Sequence, residues 1–202
     1  MDQLTAVALN CTLKPTGESS TEVLLEEVAA ALAEHDVAMD GPPVRISALH
    51  ILPGVSSDEG AGDEWPEVRR RILDADILVI GTPIWMGQPS SVCKRVLERL
   101  DAFISEKDEQ GRLVSYDRVA LVAVVGNEDG AHHCAAEIFQ ALGDVGFTIP
   151  PNAATYWVGE AMGSVDYKDL DEKPKKTIEA TKGAAAATAH LAKVLKASPY
   201  PA

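Results

Sequence analysis

The stretch Ile77–Leu100 constrains the fold more than any other part of this sequence, because it joins a buried strand, an apolar loop and a helix. Its first residues, Ile77–Gly81, are typical of a strand that helices cover on both faces. Ser90 or Ser91 can cap a helix whose apolar residues recur at spacings of three and four. Ligands of open α/β sheets bind outside the carboxyl ends of the strands, so the intervening loop 82–89 is expected to lie at a ligand site.

The composition of loop 82–89 is unusual for an exposed connection. Its sequence is TPIWMGQP, which places apolar and aromatic side chains where polar ones are normal. The two prolines restrict the backbone, and Gly87 allows another group to approach the backbone closely. A stiff apolar surface of this kind suits a flat ligand.

The net charge limits the classes of partner. The chain has 202 residues, and its 31 acidic and 18 basic residues give a formal charge of −13. This charge argues against nucleic acid or an anionic membrane as the main partner, whereas local amides and one lysine can still hold a small anion. The N-terminus has no basic segment followed by a long apolar one, and the sequence contains no run of about 18 apolar residues. We therefore expect a cytoplasmic protein of one domain, residues 1–202.

The cysteines and histidines do not indicate a metal site. Cys11, Cys93 and Cys134 are odd in number and far apart, without a CxxC pair, so neither a disulfide framework nor a zinc or iron–sulfur site is indicated. Cys11 near a helix start could be reactive, but a small residue that fills a tight loop is favoured. His133 and Glu137 lie one helical turn apart, but the sequence offers no third ligand, so we predict no metal site.

Five apolar runs alternate with helical patterns along the chain. The predicted strands are Leu4–Leu9, Val44–Ile51, Ile77–Gly81, Arg118–Val125 and Phe147–Thr155. The predicted helices are Val23–His35, one that starts at Asp63 and Pro66, one after Ser90 or Ser91, one around Ala135–Val145, and Thr177–Lys196. Residues 159–176 are expected to form a surface loop, and residues 198–202 to be loose. This alternation predicts an α/β fold with a doubly wound parallel sheet and helices on both faces.

Two common doubly wound families are excluded by their missing motifs. A dinucleotide-binding sheet normally carries GxGxxG after its first strand, where this chain has NCTLKPTG. A response-regulator domain would need acidic residues at the ends of its first and third strands, where this chain has Asn10 and Gly81-Thr82.

The loops after the first and fourth strands each allow two interpretations. The first, Asn10–Thr21, contains several hydroxyls and Lys14, which together with the free amides of a helix start could hold an anion. The alternative is simple helix capping by Ser20 or Thr21. The loop Gly126–Gly130 could approach a ligand through its two glycines, or be a plain turn that ends in an aspartate cap.

These three loops together resemble those of the flavodoxin-like NADPH-dependent FMN reductases. The segment 81–94, which begins at the end of the third predicted strand, carries most of the resemblance. Its matching residues are Gly81, Thr82, Pro83, Trp85, Gly87, Pro89, Ser90 and Lys94. The likeness covers roughly residues 4–150, and it implies a flavodoxin-like sheet of five strands in the order 2-1-3-4-5.

The resemblance also implies a set of FMN contacts. The residues that would hold the phosphate are Thr12, Lys14, Ser19, Ser20 and Thr21. Those that would lie along the isoalloxazine, with their main-chain groups at its polar edge, are Pro83, Ile84, Trp85, Met86 and Gly87. Those that would cover the other side are Gly126, Asn127, Glu128, Asp129 and Gly130. Tyr156 and Trp157 could border the flavin or a subunit contact, but are better explained as plugs at the end of the sheet.

A bound flavin carries the redox chemistry itself, so we assign no catalytic side chain. We expect an FMN-binding oxidoreductase that takes hydride from NAD(P)H and reduces a small acceptor such as a quinone or a flavin. A homodimer or homotetramer is expected, without nucleic acid or membrane partners. One alternative is a flavodoxin-type electron carrier, whose docking the acidic surface would suit. The other is a flavodoxin-like interaction module that has lost its cofactor.

Overall fold

The computed structural model describes residues 3–201 as alternating strands and helices. The strands are β1 (Leu4–Asn10), β2 (Val37–Met39), β3 (Val44–Arg45), β4 (Ile77–Trp85), β5 (Gln88–Pro89), β6 (Val119–Gly126) and β7 (Ala154–Val158). The helices are α1 (Ser20–Ala33), α2 (Trp65–Asp74), α3 (Ser91–Leu100), α4 (Ala131–Asp144) and α5 (Lys175–Ala197). Short 3-10 turns occupy Ile46–Ala48, Asp101–Ile104 and Tyr167–Asp169.

The strands form one parallel sheet with a short antiparallel addition, which confirms the predicted fold class. Strands β2, β1, β4, β6 and β7 lie side by side in that order, and β3 pairs with β1 farther along the same edge. Strand β5 pairs antiparallel with β4. The structure has seven strand segments where the sequence predicts five strands.

Helices cover the sheet on both faces, as the apolar runs predict. Alternate residues of β1 serve opposite cores: Val7 and Leu9 pack on the face of α2, α3 and α4, whereas Ala6 and Ala8 pack on the face of α1 and α5. The alanine-rich α5 fits closely because its small side chains, such as Ala184 and Ala185, are fully buried. No helix among residues 3–201 is both long and apolar enough to cross a membrane.

Two predicted strands are shorter than expected. The apolar run 44–51 forms strand only at Val44–Arg45, because β1 ends at Asn10, opposite Arg45, and offers no further partner. The run 147–155 forms strand only from Ala154 onward, apart from one bridge at Thr148. Pro150 and Pro151 lack the N–H groups that a strand needs between these points.

A buried ion pair fixes the long connection before α2. Arg99 of α3 and Asp63 are both fully buried, 2.7 Å apart, and Arg99 also donates to the carbonyl oxygens of Leu52 and Ser56. Asp63 accepts the N–H of Trp65 at the start of α2 (3.2 Å). Burial alone would raise the pKa of Asp63, but the guanidinium and three backbone N–H donors hold that pKa well below its ordinary value.

The C-terminal residues 198–201 are docked, in contrast to the loose end predicted for 198–202; residue 202 lies outside the described residues. The Tyr200 N–H donates to Asp117 (2.8 Å), and Arg112 donates to the Tyr200 carbonyl oxygen (2.9 Å). The Tyr200 ring also packs against Tyr116 at 5.6 Å. This end of the chain is therefore part of the folded surface.

Candidate functional site

Three of the predicted loops meet at the carboxyl edge of the sheet. Strands β1, β4 and β6 are neighbours in register, with Asn10 opposite Gly81 and Gly81 opposite Ala123. Because the strands are parallel, the loops that follow them emerge side by side. We refer to these as the first loop (11–19), the middle loop (82–90) and the third loop (127–130).

The first loop leads into a helix start with free donors. Ser19, rather than the predicted Ser20 or Thr21, caps α1, and its Oγ accepts the Glu22 N–H (3.1 Å). The N–H groups of Ser20 and Thr21 begin the helix and have no acceptor within it. Thr12, Ser19 and Thr21 are buried, Ser20 is half-buried and Lys14 is exposed. The predicted phosphate residues therefore lie together in one loop and helix turn.

Two residues from beyond the first loop hold its shape, and neither was predicted from the sequence. Arg45 donates to the Gly17 carbonyl oxygen (2.6 Å) and forms an ion pair with Glu22. The Ser47 hydroxyl donates to the carbonyl oxygen of Lys14 (2.9 Å). Their role follows from the position of β3 beside β1, which sequence spacing does not reveal.

Asn10 is a third residue whose role was not predicted. It is fully buried at the end of β1, and its Oδ1 accepts the N–H of Thr12 (3.1 Å). Its Nδ2 is buried and has no hydrogen-bond partner among residues 3–201. A polar residue at the end of an apolar strand was the signal that could have identified it.

The middle loop is a β-hairpin rather than an irregular loop. Ile84 lies opposite Pro89 and Trp85 opposite Gln88, so Met86 and Gly87 form a two-residue turn. Both turn residues have positive φ, 55° and 72°, as a type I′ turn requires.

The hairpin separates the predicted ring-binding residues into exposed and buried ones. Trp85 is 53% exposed and Met86 88% exposed, so the tip presents an apolar surface. Pro83 is half-buried. Ile84 is buried beneath the hairpin, where a side chain on Gly126 would collide with it. Its side chain therefore belongs to the core.

Ser90 connects the middle loop to the first loop. Its hydroxyl donates to the Cys11 carbonyl oxygen (2.6 Å) and accepts the Cys93 N–H (3.0 Å), which confirms it as the cap of α3. Its own N–H donates to Thr82 Oγ1 (3.1 Å). One buried serine thus fixes both loops and the start of a helix.

The third loop contacts the hairpin tip at two points. The Met86 N–H donates to Glu128 Oε1 (3.0 Å). Gly130 lies directly against the backbone of Gly87, so closely that a side chain at position 130 has no room. Asp129, also in this loop, is exposed. The three loops are therefore joined into one surface.

Asn127 of the third loop faces a different segment, residues 159–174, which we call the strap. Its Nδ2 donates to the Gly163 carbonyl oxygen (3.2 Å) and to Asp166 Oδ1 (3.3 Å). Both partners are acceptors, which fixes the orientation of the amide. Its Oδ1 is buried without a partner among residues 3–201. In this conformation the Asn127 amide holds the strap.

The strap is anchored by Tyr167, which lies in the predicted surface loop 159–176. Tyr167 is fully buried, and its hydroxyl donates to Glu27 (2.5 Å). Trp157 packs against its ring at 5.4 Å, and burial together with the Glu27 carboxylate raises the pKa of Tyr167. The Lys168 N–H then donates to Ser20 Oγ (3.2 Å), so the strap reaches the predicted phosphate turn.

The cysteines lie in the core next to these loops. All three are buried. A hydrogen bond to the Cys93 thiol, together with burial, raises the pKa of Cys11, and burial raises the pKa of Cys134 to about 12. Both thiols therefore stay protonated at neutral pH. His133 Nε2 lies 2.8 Å from Glu137, and residues 3–201 contain no group of three potential ligands that could hold a metal ion.

Two cavities lie away from this surface. One, of about 380 Å³, opens at the amino-terminal edge of the sheet beside Asp76 and Arg118. The other, of about 260 Å³, lies between α1 and α5 beside Glu27 and Ile178. Some of the charged residues that line them form ion pairs with each other, such as Lys196 with Asp76 at 3.0 Å. The carboxyl-edge surface, with its exposed aromatic tip and free amides, is the stronger candidate.

The comparison with known families decides the class of protein. The model of the NADPH-dependent FMN reductase family matches residues 4–163. The chain belongs to this family. The match covers all three loops, and it confirms the resemblance that the loop motifs indicated.

Individual relatives are similar over most of the chain. An 8-demethyl-8-aminoriboflavin-5'-phosphate synthase of Streptomyces davaonensis is 37% identical over 139 residues, 68% of this chain and 54% of that protein. A protein of Mycobacterium bovis named divalent metal cation transporter MntH is 42% identical over 171 residues, 83% of this chain and 25% of that protein. The chain thus spans about half of the length of the first relative and a quarter of the length of the second.

A solved structure resembles the whole fold. RosB, with the bound intermediate 8-demethyl-8-formylriboflavin-5'-phosphate, superimposes with a TM-score of 0.86 at 32% identity. The match covers 98% of this chain and 82% of RosB. The likeness therefore extends beyond residue 163, through the strap and α5.

Proposed function

We propose that this chain binds FMN across the three loops and uses it to transfer hydride from NAD(P)H to a small acceptor. Family membership supports the FMN-dependent oxidoreductase class. The observation that carries the assignment to this surface is the bond from Ser90 to Cys11, together with that from Met86 to Glu128. These contacts join the loops that the family resemblance assigns to the phosphate, to the ring and to the other side of the ring.

The first loop has the donor set that a phosphate requires. The free N–H groups of Ser20 and Thr21 lie at the positive end of the α1 dipole, which favours an anion. The Asn10 Nδ2 lies at the base of this loop without a partner among the described residues, and a bound oxyanion would satisfy such a donor. Lys14 adds a positive charge from the exposed side.

The middle loop suits the flat ring of the cofactor. Trp85 and Met86 present an apolar face, and the type I′ turn fixes their backbone. When bound, FMN supplies the two-electron chemistry. The chain's own residues would hold the phosphate, orient the ring and shield part of it from water, while the flavin face beside Trp85 and Met86 stays open to a nicotinamide.

The test is a titration followed by turnover. Purified protein is titrated with FMN by flavin fluorescence, and oxidation of NADH and NADPH is then followed with a soluble quinone. Tight FMN binding with steady nicotinamide oxidation is expected. FMN binding without turnover would indicate the flavodoxin-type carrier instead, and no FMN binding would leave the interaction module.

A second candidate treats the flavin phosphate as the substrate. It is favoured by the likeness to RosB, which is 32% identical in a match that covers 98% of this chain. The RosB structure holds a modified riboflavin phosphate. Mass spectrometry of the flavin after incubation with the protein separates the two. An unchanged flavin mass during nicotinamide oxidation supports the reductase, whereas a changed mass supports flavin modification.

We further propose that the chain acts as a homodimer or homotetramer with a small-molecule acceptor. The exposed Trp85 and Met86 at the hairpin tip would be partly covered by a second copy, and two-fold homodimers are the commonest oligomers of soluble proteins. Light scattering at micromolar concentration tests this, and a monomer would contradict it without affecting the FMN assignment.

A further inference from the structure

Glu128 holds the backbone of the hairpin turn through its carboxylate. Among residues 3–201, no other carboxylate accepts a hydrogen bond from this turn. Its Oε1 accepts the Met86 N–H at 3.0 Å, across 42 positions of sequence. Met86 is a non-glycine residue at φ 55°, a conformation that is strained for a residue with a side chain. The turn therefore depends on contacts outside itself.

We propose that Glu128 is a positioning residue, which holds the hairpin tip in place and sets the charge beside it. This proposal rests on the proposed function, since the tip is assigned to the flavin ring. A hydrogen bond to an ionised acceptor is stronger than a neutral one, so Glu128 can stabilise the turn where solvent competes. Gly130 packs against the backbone of Gly87 and so supports the same turn by direct contact.

This role differs from direct flavin binding. The family resemblance implies that main-chain groups of the middle loop lie at the polar edge of the ring, but in this structure the Met86 N–H is bonded to Glu128 instead. The exposed surface that remains at the tip consists of the Trp85 and Met86 side chains. Glu128 thus acts on a ligand through the shape of the turn and through its negative charge.

The two effects of Glu128 can be separated by substitution. Glu128→Gln keeps an oxygen acceptor for the Met86 N–H but removes the charge. Glu128→Ala removes both. A negative charge close to the flavin disfavours the electron-rich reduced form, so its removal should raise the reduction potential of the bound flavin. Glu109→Gln, at an exposed site on the 105–117 connection, is the matched control for loss of one charge.

The first measurement needs no flavin. Amide hydrogen exchange of the segment 84–88 is compared in the unliganded proteins, with circular dichroism as a check of folding. Exchange at Met86 should accelerate at least about tenfold in Glu128→Ala and stay near the wild-type rate in Glu128→Gln and Glu109→Gln. Unchanged exchange in Glu128→Ala would overturn the positioning role.

The second measurement uses the FMN complex. The dissociation constant should rise about tenfold or more in Glu128→Ala and stay within about threefold in Glu128→Gln. The reduction potential should rise in Glu128→Gln and not in Glu109→Gln. Equal affinities in all variants, or an unchanged potential in Glu128→Gln, would overturn the inference. If the wild type binds no FMN, the proposed function fails, whereas exchange at Met86 still decides whether Glu128 holds the turn.

Discussion

A methyl group on Gly130 would lie 2.7 Å from the carbonyl oxygen of Gly87. This distance is shorter than any relaxed contact between a carbon and an oxygen atom, and the obstacle is backbone rather than a flexible side chain. The third loop and the hairpin tip can therefore meet only while position 130 is glycine. Its φ of 132° also favours glycine.

Gly130→Ala should push the hairpin tip away from the third loop. We expect a loss of about 1–3 kcal/mol in unfolding free energy and a clear fall in FMN content as purified. Urea unfolding and flavin absorbance measure the two effects. Gly183→Ala is the control: it lies inside α5 with open space around it, and should stabilise the protein by about 0.5–1 kcal/mol. Full flavin content in Gly130→Ala would show that the contact is dispensable for binding.

Gly87 has a φ of 72°, so a residue that replaces it must tolerate a positive φ. Valine would be strained there even without a ligand, so Gly87→Asn is the better probe, because asparagine tolerates this conformation. The nearest atom to an added Cβ is the Asp129 carbonyl oxygen at 3.8 Å, so the fold has room. We expect a thermal midpoint close to wild type and weakened FMN binding. Normal flavin affinity in this variant would mean that the ring does not approach position 87.

Ser20→Ala should distinguish a phosphate contact from a strap contact. If the hydroxyl binds the phosphate, FMN affinity should fall about tenfold or more while riboflavin affinity stays constant. If it serves only as the acceptor for the Lys168 N–H, both ligands should lose affinity equally, or neither should. Parallel fluorescence titrations with the two flavins provide the comparison. We expect the FMN-selective loss.

Asp63→Asn should destabilise the fold in a pH-dependent way. Removal of the charge leaves Arg99 buried without its counterion, which costs about 3–5 kcal/mol at pH 7. The pKa of Asp63 is lowered in the folded state, so its stabilisation is complete above the ordinary pKa of about 4 and is lost as the pH falls toward the lowered value. The deficit should therefore shrink in acid. The exposed Asp74 provides the control: Asp74→Asn should change the unfolding free energy by less than about 1 kcal/mol. A deficit that is independent of pH would contradict the assignment.

The centre of the fold could be predicted from the sequence because β1, β4 and β6 are buried on both faces. Such strands appear as continuous apolar runs, and their order fixes which loops are neighbours. The cap at Ser90 was also predictable from its position before the apolar pattern of α3. The cap of α1 was predicted at Ser20 or Thr21 and lies at Ser19, because three adjacent hydroxyl residues are all good caps.

The hairpin and the strap could not be predicted, for different reasons. Pro83 and Pro89 lie inside the hairpin strands, and a Met86-Gly87 turn lacks the usual Asn-Gly signal, so the segment has the pattern of a loop. The strap is polar and without periodicity, so the burial of Tyr167 depends wholly on tertiary contacts with Trp157 and Glu27. The roles of Arg45 and Asn127 likewise arise from chain segments that meet only in three dimensions.

The burial of Tyr167 also determines where this domain can be cut for expression. The family match ends at residue 163, which suggests a convenient truncation point. A fragment that ended there would lack Tyr167 and α5, and the part of the sheet that α5 covers, over β6 and β7, would be exposed to water. Such a fragment would be expected to aggregate, since that face offers a broad apolar surface. A useful recombinant unit should therefore include α5 and the docked Tyr200.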